Sequence, residues 1–151
     1  MTPLPNRDAT LQQQSAHLVV NLHCGGDGLY APITIGEGLS TQLRPLYFGM
    51  QFAEQFAGWE LQRCTVDGKE NLTAWFAHKG VDHQLALINK GEAPIQVQLT
   101  GAGGAYRAGH SMRLSWPALD AKQGVVLAEV KAPSGSAFFV RGYTALLLRW
   151  K

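Results

Sequence analysis

Asn71-Leu72-Thr73-Ala74-Trp75-Phe76-Ala77-His78 and His83-Gln84-Leu85-Ala86-Leu87-Ile88-Asn89 decide how this chain folds. Both are short and apolar, and a turn around Lys79-Gly80 joins them. Runs of this length bounded by turn residues read as two strands of a hairpin. Trp75 and Phe76 have opposite parity in the first strand, so their rings point to opposite faces of the sheet.

Moving toward the C-terminus, Ile95, Val97 and Leu99 alternate with Gln96 and Gln98, the pattern of a half-buried strand. Gly101-Ala102-Gly103-Gly104 reads as a loop. Met112, Leu114 and Trp116 alternate again. Residues 124–131, 137–141 and 143–150 complete the set. Toward the N-terminus, residues 60–66 read as a strand leading into the hairpin signal Asp67-Gly68. Before them lies one helix, residues 45–58. Pro45 suits its first position, Gly58 its stop, and Phe48, Phe52 and Phe56 fall four apart on one face. That aromatic stripe reads as core. Residues 31–43, with Pro32, Gly36 and Gly38, read as a loop. Residues 17–23 (HLVVNLH) form an apolar run suited to a strand buried on both faces, followed by the glycine-rich Cys24-Gly25-Gly26-Asp27-Gly28.

The expected fold is mainly β: an antiparallel β-sandwich of about eight strands with one N-terminal helix. Residues 1–16 read as a loosely ordered leader, residues 17–58 as strand, glycine-rich loop and helix, and residues 59–151 as the sandwich.

Composition narrows the function classes. The 151 residues are 46% apolar and 16% charged, a globular composition. A net charge of +2, dispersed along the chain, argues against nucleic acid as partner. The apolar tract at residues 143–148 is too short to cross a membrane and runs into Arg149. Residues 1–15 show no charged start followed by an apolar core, so no secretory signal is read there, and the compartment stays open. Cys24 and Cys64 make neither a disulfide framework nor a zinc set, and free thiols are expected.

No catalytic set is read from the residues. Glycoside hydrolysis needs two carboxyl groups about 5–9.5 Å apart. Of the acids, only Asp27 and Glu37 flank the glycine-rich loop, where solvated turn residues are the alternative reading. His78 and His83 flank a turn and could meet across the hairpin, but no HxH or HExxH spacing occurs, and no metal or cofactor is expected. A GxSxG elbow is absent. Trp59, Trp75, Trp116 and Trp150 could supply a sugar-stacking platform, most plausibly at Trp75 or Trp116, with burial in the core as the alternative.

Residues 20–33, Val20-Asn21-Leu22-His23-Cys24-Gly25-Gly26-Asp27-Gly28-Leu29-Tyr30-Ala31-Pro32-Ile33, resemble the end of the catalytic barrel in glycoside hydrolase family 79, the family of heparanase and microbial β-glucuronidases. Arg44-Pro45-Leu46-Tyr47-Phe48-Gly49-Met50 is similar to that family's helix start. Leu87-Ile88-Asn89-Lys90, residues 119–125 and Tyr143-Thr144-Ala145-Leu146-Leu147 resemble later strands, in the same order. Cys24 and Leu22 depart from the family pattern, which has glycine and phenylalanine there.

The resemblance implies a (β/α)₈ barrel joined to a β-sandwich, with the catalytic glutamates on barrel strands outside these residues, so no catalytic residue is assigned. It also implies that Gly28, through its amide, and Tyr30, through its hydroxyl, help hold a uronate carboxylate. A packing role for Tyr30 is the alternative. The partners so implied are a uronic-acid glycan and a catalytic barrel, or self-association through the strand at residues 17–23. A free-standing carbohydrate-binding module, or a small enzyme using Asp27 and Glu37, are the competing readings.

Overall fold

The computed structural model describes residues 31–35, 41–68, 71–101 and 109–151. These fall into two compact units that meet in sequence between Tyr47 and Phe48. The first holds a small antiparallel hairpin, β1 (Ile33–Ile35) and β2 (Thr41–Leu43), with Ile33 opposite Leu43. The amide of Arg44 donates to the Pro32 carbonyl at 2.9 Å and extends the pairing by one step. The sequence reading made residues 31–43 a loop. Each strand is only three residues long, and proline and glycine dominate the composition, so no alternation could register.

Helix α1 spans Pro45–Glu54. It begins at the proline, whose missing N–H costs nothing in a first turn. It ends short of Gly58 because the last turn tightens: the amides of Gln55, Phe56 and Ala57 each donate to the carbonyl three residues back, at 2.9–3.2 Å. Gly58 then reverses the chain at φ 74°.

Among the described residues eight strands follow the helix, as the sequence reading expects. They are β3 (Glu60–Gln62), β4 (Leu72–Lys79), β5 (Asp82–Asn89), β6 (Ile95–Gln98), β7 (His110–Ser115), β8 (Val126–Glu129), β9 (Ala137–Val140) and β10 (Thr144–Trp150). Six of them form one antiparallel sheet in the order β3-β4-β5-β10-β7-β8, and β6 pairs with β9 as a separate ribbon. The β4–β5 turn is two residues, Gly80 and Val81, closed by the Lys79–Asp82 pair. Gly80 supplies the positive φ (60°) that a tight hairpin turn demands.

The sheet is covered on both faces, and alternation sorts its residues. Leu72, Leu85, Leu87, Leu146, Leu148 and Trp150 pack against Val97, Phe138 and Val140 of the ribbon. Ala86, Leu114, Ala145 and Leu147 pack against Phe52 of α1, with Phe48 and Phe56 beside it. The aromatic stripe of the helix is therefore core. Strand β10 lies between β5 and β7 and touches both layers, which is why its sequence is a continuous apolar run instead of an alternating one. Leu147 and Leu148 are both fully buried, each contributing about 1.5–3 kcal/mol.

Candidate functional site

Gly28 and Tyr30, with Asp27, Glu37, Cys24 and the strand expected at residues 17–23, lie outside the described residues. The site can be built only from what the sandwich presents. Glu60, His78, His83 and Trp150 stand in one row across β3, β4, β5 and β10. The two histidines do different work there. His78 Nε2 lies 3.1 Å from Glu60 Oε2 at the sheet edge. The His83 ring turns the other way, stacks on Phe76 at 5.7 Å and lies 5.8 Å from the Trp150 ring. Their register juxtaposition thus produces a histidine–carboxylate contact at the edge and an aromatic plug. Among the described residues no group of three His, Cys, Asp or Glu side chains could hold a metal. A shallow polar groove of about 430 Å³ runs beside His110, Ser111, Glu129 and Lys131. In it His110 Nε2 approaches Glu129 Oε1 at 3.6 Å.

Cys64 is a free, half-buried thiol that donates to the Ala74 carbonyl at 3.3 Å. This contact reports register. Beyond the end of β3, residue 64 still runs alongside residue 74, continuing the pairing of Gln62 with Phe76. Val66 packs against the same core as Leu72, as that register requires. Of the strand read at residues 60–66, only Glu60–Gln62 forms a ladder; residues 63–66 carry no strand pairing.

The four tryptophans separate clearly. Trp150 is buried in the ribbon-side core. Trp116 packs in the helix-side core. Trp59 lies under the Arg149 guanidinium, 5.7 Å from the ring centroid. Trp75 is 51% exposed, while its neighbour Phe76 packs inward. Of the two tryptophans considered for a sugar platform, Trp75 is the one at the surface. The register extended through Cys64 sets Arg63 alongside Trp75, on the sheet face opposite Phe76.

Two polar networks had little or no sequence signal as such. Gln84 is fully buried on the helix side. Its Nε2 donates to the Gln55 carbonyl at 3.1 Å, and its Oε1 accepts from Arg149 Nε at 3.1 Å. Arg149 also donates to Gln55 Oε1 at 3.0 Å. This ties the last helical turn to the middle of the sheet. At the other end, Asn89 is fully buried and gathers the loops, donating to the carbonyls of Ala93, Arg141 and Val140 at 2.8, 3.1 and 3.2 Å. A glutamine inside the run His83-Gln84-Leu85-Ala86-Leu87 was the available hint of the first network.

No protein-family model and no curated protein matches the sequence. Solved structures do match in fold. An α-L-arabinofuranosidase from Thermotoga maritima, in complex with arabinose, is similar at a TM-score of 0.60 and 14% identity, over 80% of this chain and 31% of that one. A second arabinofuranosidase is similar at 0.59 and 12%, over 79% and 31%. A thermostable family 51 α-L-arabinofuranosidase from Thermotoga petrophila is similar at 0.56 and 12%, over 80% and 31%. The chain therefore shares the fold of part of these glycoside hydrolases and spans about a third of their length. The likeness supports a glycoside-hydrolase type of fold without singling out family 79.

Proposed function

We propose that this chain is the non-catalytic β-sandwich domain of a glucuronidase-like glycoside hydrolase, supporting a catalytic barrel and lending it a uronate-binding loop at Gly28 and Tyr30. The fold carries the reading. Four-fifths of the chain follows the course of under one-third of an arabinofuranosidase, leaving the greater part of that hydrolase without a counterpart here. The family 79 pattern in residues 20–50 adds the uronate. A freed glycine amide and a phenol are suitable donors to a carboxylate. In isolation such a loop lacks its other walls, so the protein should bind glucuronate weakly and hydrolyse nothing. Calorimetry with glucuronic acid, glucose as control, and a Tyr30→Phe variant tests this. Preference for the acid, weakened in the variant, is expected. Equal response to glucose, or turnover of an aryl glucuronide by the isolated chain, would contradict it.

A second reading, a carbohydrate-binding module, is favoured by one observation: the half-exposed indole of Trp75.

A further inference from the structure

We propose that the open face of β3 and β4 is a platform for an acidic saccharide, with Trp75 as the stacking surface and Arg63 as the carboxylate partner. The inference deepens the binding-module reading above and is separate in sequence from the loop at Gly28 and Tyr30.

The placement follows from register. Gln62 pairs with Phe76, and the Cys64 thiol reaches the Ala74 carbonyl, so Arg63 stands beside Trp75 and Thr65 beside Thr73. Phe76 packs inward and Ala74 sits against the ribbon-side core, so the residues between them in parity share the opposite face. Helix α1 packs on that face over β5, β10 and β7, through Ala86, Ala145, Leu147 and Leu114, and no residue of β3 or β4 belongs to that cluster. What stays open is an indole 51% exposed, flanked along its strand by Thr73 and across the strands by Arg63 and Thr65.

The chemistry of these neighbours selects the ligand. Half exposure leaves an indole surface for the C–H face of a pyranose. Cβ atoms opposite one another on adjacent strands are about 5 Å apart, so a guanidinium at Arg63 reaches the rim of a ring lying on Trp75. Arg63 is exposed and has no ion-pair partner among the described residues. Among the described residues the guanidinium–indole stack is Arg149 over Trp59, not Arg63 over Trp75. The face carries a second cation, Lys79, and its carboxylates stand at the two ends, Asp67 four residues along from Arg63 and Asp82 opposite Lys79 at the turn. A guanidinium with no acid beside it prefers a carboxylate in fork geometry, and threonine hydroxyls suit sugar hydroxyls. A protein partner fits less well. Trp75 and Leu61 are the large apolar side chains exposed here, far short of the roughly 800 Å² per partner of a stable interface.

The test uses two ligands that differ only at C6: cellotriose and its C6-oxidised counterpart, a trisaccharide of glucuronate. Binding is followed by amide chemical shifts of the whole chain, with Trp75→Ala and Arg63→Gln variants whose folding is checked by thermal unfolding. The wild type should bind the acidic trisaccharide about tenfold more tightly than the neutral one, with shifts around residues 63 and 75. Trp75→Ala should lose both ligands, while Arg63→Gln should lose only the preference. Failure of the wild type to bind either ligand would overturn the proposal, as would binding untouched by both substitutions. Shifts confined to Gly28 and Tyr30 that survive Trp75→Ala would overturn the platform while leaving the uronate loop standing.

Discussion

Asn89 is the residue whose loss this fold should feel most sharply for its size. It is fully buried at the end of β5. Its Nδ2 is shared among the carbonyls of Ala93, Arg141 and Val140, and its Oδ1 accepts from the Gly91 amide at 3.0 Å. One amide thus joins the β5–β6 turn to the β9–β10 connection, where the chain crosses from the ribbon to the centre of the sheet. Replacing it by alanine leaves one N–H and three carbonyls short of a partner. A buried polar group left unsatisfied costs about 1–3 kcal/mol. The low end applies, because carbonyls keep a second lone pair, and Ala93 and Arg141 are themselves exposed and open to water. The sum is about 3–4 kcal/mol, a large share of the 5–15 kcal/mol typical of a domain. For a chain of this length that is a fall of roughly 6–16 °C in Tm. Asn89→Asp should do no better, since it removes both donors and aims an anion at three carbonyls. Thermal and urea unfolding followed by circular dichroism read the loss. As a control, Gln98→Ala removes an exposed hydrogen bond to Ser136 Oγ and should change stability by less than about 0.5 kcal/mol. A drop below about 5 °C for Asn89→Ala would show that the carbonyls find water at no cost, and the reasoning would fail.

Other substitutions follow the same logic. Gly142→Ala should prevent cooperative folding, because a Cβ there would overlap the Glu92 carbonyl oxygen; Gly135→Ala, at φ 85° in open space, should cost only about 1 kcal/mol, and paired urea melts separate the two. Phe52→Ala removes the buried member of the helical stripe and should cost about 3–5 kcal/mol; a melt within 1 kcal/mol of wild type would mean that α1 does not close the sheet. Arg149→Met leaves the buried Gln84 Oε1 without its donor and uncovers Trp59. A loss of about 2–3 kcal/mol with a changed Trp59 signal in near-UV circular dichroism is expected, and an unchanged spectrum would refute the stack.

Local chemistry was legible in the sequence and long-range pairing was not. The opposite fates of Trp75 and Phe76 follow from parity alone, and the inward face of Phe48, Phe52 and Phe56 from helical spacing. Pro45 and the glycines at 58, 68 and 80 marked their turns, with φ values of 74°, 80° and 60° at the glycines. The insertion of β10 between β5 and β7 has no local signature. Nothing in Thr144-Ala145-Leu146-Leu147-Leu148 says which strands flank it, only that both its faces are buried. For the same reason the sheet cannot close until its last strand arrives, which predicts slow folding for a domain of this size. His78 and His83 were read as neighbours, correctly in register, but ring orientation depends on Glu60 and Phe76 on either side. In the sequence Asn89 stands out only within a family-like tetrapeptide, and its hydrogen bonds explain why an asparagine suits that position. The partner of Trp75 emerged from the thiol of Cys64, which fixes the register of an edge too irregular to be read as a ladder.

In the proposed function this sandwich belongs to a hydrolase of acidic sugars and would bind uronate without turning it over. Chemical-shift mapping of the isotope-labelled chain with glucuronic acid, and separately with glucose, tests it most directly. Saturable shifts at the Gly28 and Tyr30 amides with glucuronic acid, and none there with glucose, are expected. Shifts of equal size with both sugars, or no response to glucuronic acid anywhere in the chain, would contradict it.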